Sequence, residues 1–171
     1  MVANKRIYLV GYMGAGKSSV ARRLARRLGW TICDLDDLFE ERYHITVAGF
    51  FERFGEDLFR VLETELLYST ETMENVVIST GGGTPCFNDN MKWMNNKGIT
   101  VFIMLSEQSL RYRLLSSKRK RPLVMGKSEK ELEEYIKVHY SSRYQYYSQA
   151  AITVKGESLD YDELIMRLSC F

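Results

Sequence analysis

The sequence predicts an α/β fold built on a parallel sheet, and three observations carry that reading. First, the apolar runs RIYLV (6–10), VVIS (76–79) and ITVFIML (99–105) are short and rich in β-formers. Such runs read as strands buried on both faces. Second, the segments between them repeat apolar residues at helical spacing, the alternation expected of parallel strands joined by helices. Third, the glycine-rich GYMGAGKS (11–18) joins the first strand to the first helix. In such sheets ligands bind beyond the carboxyl ends of the strands.

The elements follow in order. Arg6 to Val10 is a strand ended by Gly11. Val20, Ala21, Leu24, Ala25 and Leu28 form the apolar stripe of a helix, with Arg22, Arg23, Arg26 and Arg27 opposite and Gly29 as its stop. Thr31 to Cys33 reads as a second strand delivering Asp34, Asp36 and Asp37. From Asp37 to about Thr72 the pattern is helical and rich in aromatics, with breaks expected at Gly49 and Gly55. Val76 to Ser79 is the third strand, running into Gly81-Gly82-Gly83. Asn88 to Asn96 reads as a short helix closed by Gly98, and Ile99 to Leu105 as the fourth strand, with Ser106 capping the next helix. Ser116 to Lys127 is polar, basic and loop-like. Ser128 to Gln149 is a helix opened by a capping box, Ser128 with Glu131. Ala151 to Val154 is a fifth strand, and Tyr161, Leu164, Ile165 and Leu168 mark a last amphipathic helix.

A chain of 171 residues can bury roughly 70% of its unfolded surface and needs no staple to fold. Lys plus Arg number 24 against 22 Asp plus Glu, a net charge of +2, which argues against a nucleic-acid partner. Cys33, Cys86 and Cys170 are widely spaced and form no CxxC pair, so free thiols in a reducing cytoplasm are expected rather than disulfides or zinc. The first residues carry no basic patch followed by a long apolar run, so no signal peptide is expected. No apolar stretch approaches the ~20 residues that span a bilayer, so no membrane partner is expected either.

GYMGAGKS fits G-x-x-x-x-G-K-[ST] in the context that gives the motif meaning, between a strand and a helix. Glycines let backbone N–H groups turn inward around phosphate oxygens, and the helix N-terminus favours the same anion. Lys17 would reach the β- and γ-phosphates, and Ser18 would offer its hydroxyl to Mg²⁺. Asp34 and Asp36 admit two readings: a metal-side carboxylate with one facing the acceptor, or a solvated turn with Asp37 as a cap. Gly81 to Gly83 is either a flexible strand exit or a close backbone approach to a ligand. Arg60 with Glu63 one turn on reads by itself as a surface ion pair. Phe50, Phe51, Phe54 and Phe59 form an aromatic group, a small core of which one or two members line a pocket. Tyr140, Tyr144 and Tyr147 are read as packing. KRKRP (118–122) reads as a phosphate-facing lid rather than a nucleic-acid patch.

The ordered set GYMGAGKS (11–18), DLD (34–36), FRVLE (59–63), GGG (81–83), RPL (121–123) and RYQYY (143–147) resembles shikimate kinase over nearly the whole chain. The resemblance implies a three-layer P-loop NTPase fold like that of the nucleoside monophosphate kinases, its sheet ordered 2-3-1-4-5. It implies a single kinase domain with core 1–34, 73–115 and 149–171, a substrate-binding helical segment 35–72 and a lid at about 116–127. It further implies ATP-dependent phosphorylation of the 3-hydroxyl of shikimate with Mg²⁺, by a cytoplasmic monomer. ATP would be held by Gly14, Ala15, Gly16, Lys17, Ser18 and Ser19, with Arg113 against the adenine and Lys155 near the same pocket. Ser18 and Asp34 would serve Mg²⁺, and Asp36 would orient the acceptor hydroxyl and take its proton. Arg60 and Arg143 would grip the substrate carboxylate, Gly82 and Gly83 would touch substrate through backbone, and Glu63 would orient Arg60. Lys17 and Arg121 would offset charge on the transferring phosphoryl group. A gluconate or nucleoside monophosphate kinase is the nearest rival. A nucleotide-binding regulator is the rival outside enzymes, and intact Lys17, Ser18, Asp34 and Asp36 argue against it.

Overall fold

A computed structural model describes residues 5–117 and 126–171 of the chain. Five strands form one sheet in the order β2-β3-β1-β4-β5. They are β1 (Arg6–Val10), β2 (Thr31–Asp34), β3 (Val76–Ser79), β4 (Ile99–Met104) and β5 (Ile152–Lys155), and every pairing is parallel. β2, at the edge of the sheet, is partly exposed, but β1, β3 and β4 are almost wholly apolar and buried, so both faces must be covered by helices. They are α1 (Lys17–Leu28), α2 (Leu35–Tyr43), α3 (Val47–Phe54), α4 (Glu56–Ser69), α5 (Asn90–Lys97), α6 (Glu107–Leu115), α7 (Glu129–Tyr147) and α8 (Tyr161–Leu168). On one face Tyr8 of β1 meets Trp93 of α5, and Phe102 of β4 meets Tyr147 of α7. Elsewhere α1 packs along β1, β2 and β3, and its Arg27 pairs with Asp162 of α8.

The helical segment after β2 is three helices, and its first break is not where glycine suggested. The chain turns at His44, which takes a left-handed φ of 53°, and Thr46 then caps α3 by accepting from the Gly49 N–H at 3.1 Å. Gly49 therefore lies inside the first turn of α3, where a cap, not a glycine, sets the boundary. Gly55, at φ 82°, does separate α3 from α4. Asp37 is not the cap of α2; Asp34 is, its Oδ1 accepting from the Asp36 N–H at 3.1 Å. The Asn88 helix starts two residues late, since Asn88 and Asp89 both take left-handed φ before α5 begins. The capping box of Ser128 and Glu131 opens α7 as the spacing predicts.

A second, smaller core holds Phe39, Phe50, Phe59 and Leu66 under α2, α3 and α4. Each buried ring contributes roughly 1.5–3 kcal/mol over an exposed one. Phe54 is exposed, whereas Phe51 and Phe59 reach the wall of the neighbouring cleft. Among the described residues no helix is long and apolar enough to cross a membrane.

Candidate active site

The sheet edge formed by the carboxyl ends of β1, β2 and β3 opens into a cleft of about 590 Å³. Its walls bring together residues far apart in the chain: Gly14, Gly16, Lys17, Ser18 and Ser19, then Asp34 and Asp36, then Arg60, Gly82 and Gly83, then Arg113 and Arg143. Ala15 is buried behind the loop, and Lys155, exposed at the end of β5, does not line the cleft. Arg121, with Lys118, Arg119 and Lys120, lies outside the described residues.

The glycine-rich loop side of the cleft is a backbone structure. Gly16 closes the phosphate loop at φ 89°, a conformation that L side chains avoid, and α1 starts at the next residue. The positive end of α1 therefore points into the cleft. The Lys17 ammonium donates to the carbonyls of Gly11 (2.8 Å) and Tyr12 (3.0 Å), spanning the loop. Arg113 donates from Nη1 to the Ala15 carbonyl at 3.1 Å, so its guanidinium lies against the same turn and lines the cleft.

Below the loop, three oxygen groups meet. Ser18 Oγ donates to Asp34 Oδ2 at 2.5 Å and lies 3.2 Å from Ser79 Oγ. Sheet register makes this meeting, because Asp34 of β2 stands beside Ser79 of β3. Hydroxyl and carboxylate oxygens are the hard donors that Mg²⁺ prefers, and Mg²⁺ is commonly held by one or two carboxylates plus substrate phosphates. The Ser18–Asp34 pair fits that ion. Among the described residues no cluster of three or more His, Cys, Asp or Glu offers a closed metal cage.

The remaining walls depend on side chains. Arg60 and Glu63 are not a surface pair: their side chains are 9% and 4% exposed. Arg60 Nη1 donates to Glu63 Oε2 at 2.8 Å, while Nη2 and Nε donate to Glu56 Oε1 at 2.7 and 3.0 Å. Burial opposes the Arg60 charge, but Glu63 and Glu56 outweigh it and raise the guanidinium pKa. The Phe87 ring lies 4.5 Å from the guanidinium. Glu63 Oε1 in turn accepts from the Thr84 hydroxyl at 2.6 Å. Arg143 is equally buried, yet among the described residues no carboxylate lies within ion-pair distance of it. A buried, unneutralised guanidinium on a cleft wall favours an anionic ligand strongly.

The three glycines give room as well as approach. A Cβ on Gly83 would come within 2.6 Å of Arg60 Cζ, although its φ of −91° suits any residue. A Cβ on Gly82 would press on the Met13 backbone at 2.9 Å, and one on Gly81 on Glu63 Oε1 at 2.7 Å. The carbonyls of all three are used inside the protein, by Thr84 N, the Tyr147 hydroxyl and Cys86 N.

Comparison with known proteins decides the family. The family described as shikimate kinase matches residues 13–168. A shikimate kinase of Parabacteroides distasonis is 43% identical over 155 residues, covering 91% of this chain and 90% of its own. The chain belongs to the shikimate kinase family. The shikimate kinase of Bacteroides thetaiotaomicron superposes with a TM-score of 0.88 at 41% identity, over 96% of both chains. That of Acinetobacter baumannii, solved in complex with shikimate, gives 0.86 at 29% identity, over 97% of this chain and 91% of the other.

Sequence reasoning missed four residues around this shikimate kinase-family cleft. Ser79 was legible as a polar end on an apolar strand. Glu56 could have been paired with Arg60 from its i,i+4 spacing. Tyr12 and His139 gave no signal, because their contact joins positions 127 apart in the chain. Cys86 sits beside the cleft with its thiol pushed up to about 11 by burial, which leaves it a poor nucleophile.

Proposed function

We propose that this cleft transfers the γ-phosphoryl group of ATP to the 3-hydroxyl of shikimate. The observation that carries the acceptor assignment is Arg143, buried without a carboxylate partner among the described residues, on the same cleft wall as Arg60. Together they suit a ring that bears one carboxylate. Arginine matches the two oxygens of that group in a planar, bidentate geometry.

The phosphate loop N–H groups and Lys17 hold the triphosphate, and Arg113 braces the loop through the Ala15 carbonyl. Ser18 and Asp34 would hold Mg²⁺, which would offset charge on the triphosphate. Asp36 stands on the cleft wall and orients the acceptor hydroxyl for in-line attack, taking its proton as the new O–P bond forms and the bond from the γ-phosphorus to the bridging oxygen breaks, with ADP as the leaving group. Arg60 and Arg143 fix the ring by its carboxylate, so that position supplies much of the rate. Arg121 steadies negative charge on the transferring group. In this reading the enzyme works as a monomer in the cytoplasm, where ATP is supplied.

The test is a coupled assay of ADP release with shikimate, gluconate and nucleoside monophosphates. Shikimate alone should support saturable turnover. Faster turnover with gluconate or a nucleoside monophosphate would overturn the assignment.

A further inference from the structure

Helix α7 carries a stripe that crosses the cleft. His139, Arg143 and Tyr147 are four residues apart and so lie on one helix face. Each end of the stripe is tied to a different side. His139 Nδ1 and the Tyr12 hydroxyl share a hydrogen bond of 2.8 Å, their rings meeting edge to face at 5.5 Å. Tyr12 belongs to the phosphate loop but does not line the cleft. At the other end the Tyr147 hydroxyl donates to the Gly82 carbonyl at 2.5 Å. Between these ties stands Arg143, facing the cleft.

We infer that the Tyr12–His139 contact is a positioning latch that lets the nucleotide-side loop set Arg143 for the acceptor. The inference rests on the functional reading above and adds two residues to it. The chemistry of the pair suits a fixed tie. Burial, reinforced by the nearby Arg143 guanidinium, lowers the His139 pKa to about 4, so the ring is neutral and keeps one nitrogen to accept and one to donate. Burial raises the Tyr12 pKa, so its hydroxyl keeps its proton. Arg143 has no carboxylate to hold it among the described residues, so its placement depends on the helix that bears it. Arg60 differs, being gripped by Glu56 and Glu63. Moving α7 relative to the phosphate loop would therefore shift Arg143 and leave Arg60 in place.

A purely local role for Tyr12 would show in the nucleotide, since Tyr12 sits in the nucleotide loop. The latch predicts the opposite split. Tyr12→Phe, which keeps the ring and loses one oxygen, should raise KM for shikimate roughly fivefold, with KM for ATP changed less than twofold. His139→Leu should do the same, and the double variant should be no worse than the poorer single one. His139→Asn, which retains a group able to share a hydrogen bond near the Nδ1 position, should recover most of the loss. A rise in KM for ATP with shikimate unaffected would overturn the latch, as would single effects that multiply in the double variant. If His139→Leu does not fold, Tyr12→Phe and His139→Asn decide the matter. Absence of shikimate-dependent ADP release in the unaltered enzyme would strike the functional reading itself, and the latch with it.

Discussion

On the donor side of the cleft, eight consecutive residues, 11–18, supply a loop, a lysine and a helix terminus. On the acceptor side, Asp36, Arg60, Gly83 and Arg143 come from four separate segments, and Arg60 is gripped by Glu56 and Glu63 of its own helix while Arg143 has no carboxylate partner among the described residues. The first arrangement depends on backbone conformation, which a short string of residue types can specify. The second depends on tertiary packing, which brings charged side chains of α4 and α7 to one cleft. Backbone cradles tolerate change in their surroundings, whereas a buried arginine moves whenever its partner does. The donor side therefore suits a general task, holding a triphosphate, and the acceptor side a particular one.

This contrast can be broken or sharpened by substitution. The largest effect is expected at Asp36, where the two sides meet. Asp36→Asn should lower kcat roughly 10³-fold while ATP binding, read by calorimetry, stays near wild type. Near-normal turnover would remove Asp36 from proton transfer. Next comes Arg121→Ala, expected to lower kcat roughly 10²-fold with much smaller changes in both KM values. An unchanged kcat would end its assignment to the phosphoryl group. On the acceptor side, Gly83→Ala forces a methyl onto the pinned Arg60 guanidinium. It should raise KM for shikimate roughly tenfold and spare KM for ATP. Equal changes in both would mean that the two sides are not separately built.

The smallest effect is in pH dependence. His139 is depressed from its ordinary 6.5 to about 4, chiefly by burial, then by Arg143, with Arg60 adding and Glu56 opposing. Below 6.5 the unfolded chain binds a proton that the folded chain refuses, so stability falls as pH drops toward about 4. Tyr12 and Tyr135, the rings on either side of His139, keep their protons throughout that window. Thermal melts of His139→Leu should decline less steeply across the window than those of the wild type. Parallel curves would show that His139 does not titrate as its surroundings imply.

Much of this molecule was legible before its structure. β1, β3 and β4 were found because parallel strands buried on both faces read as short unbroken apolar runs, and β1 and β3 match to the residue. The phosphate loop was legible because its chemistry is local. Helix boundaries were less so: the break at His44 rests on one left-handed residue and a Thr46 cap, which glycine positions alone do not reveal. The glycine triplet was read as an opening for ligand. The space it leaves is also filled by Arg60, Glu63 and the Met13 backbone, and only packing can show that. Glu56 and Ser79 carried a local signal that went unused, whereas the Tyr12–His139 tie was invisible for the same reason.

The central claim is that an unneutralised arginine reads the acceptor's carboxylate. It is tested most directly by comparing shikimate with its carboxamide, in the wild type and in Arg143→Leu. The wild type should favour the carboxylate in kcat/KM by roughly 10²-fold or more. Arg143→Leu should lose most of that preference, because both substrates then meet the same apolar side chain beside an already neutralised Arg60. A variant that keeps the full wild-type preference would contradict the account.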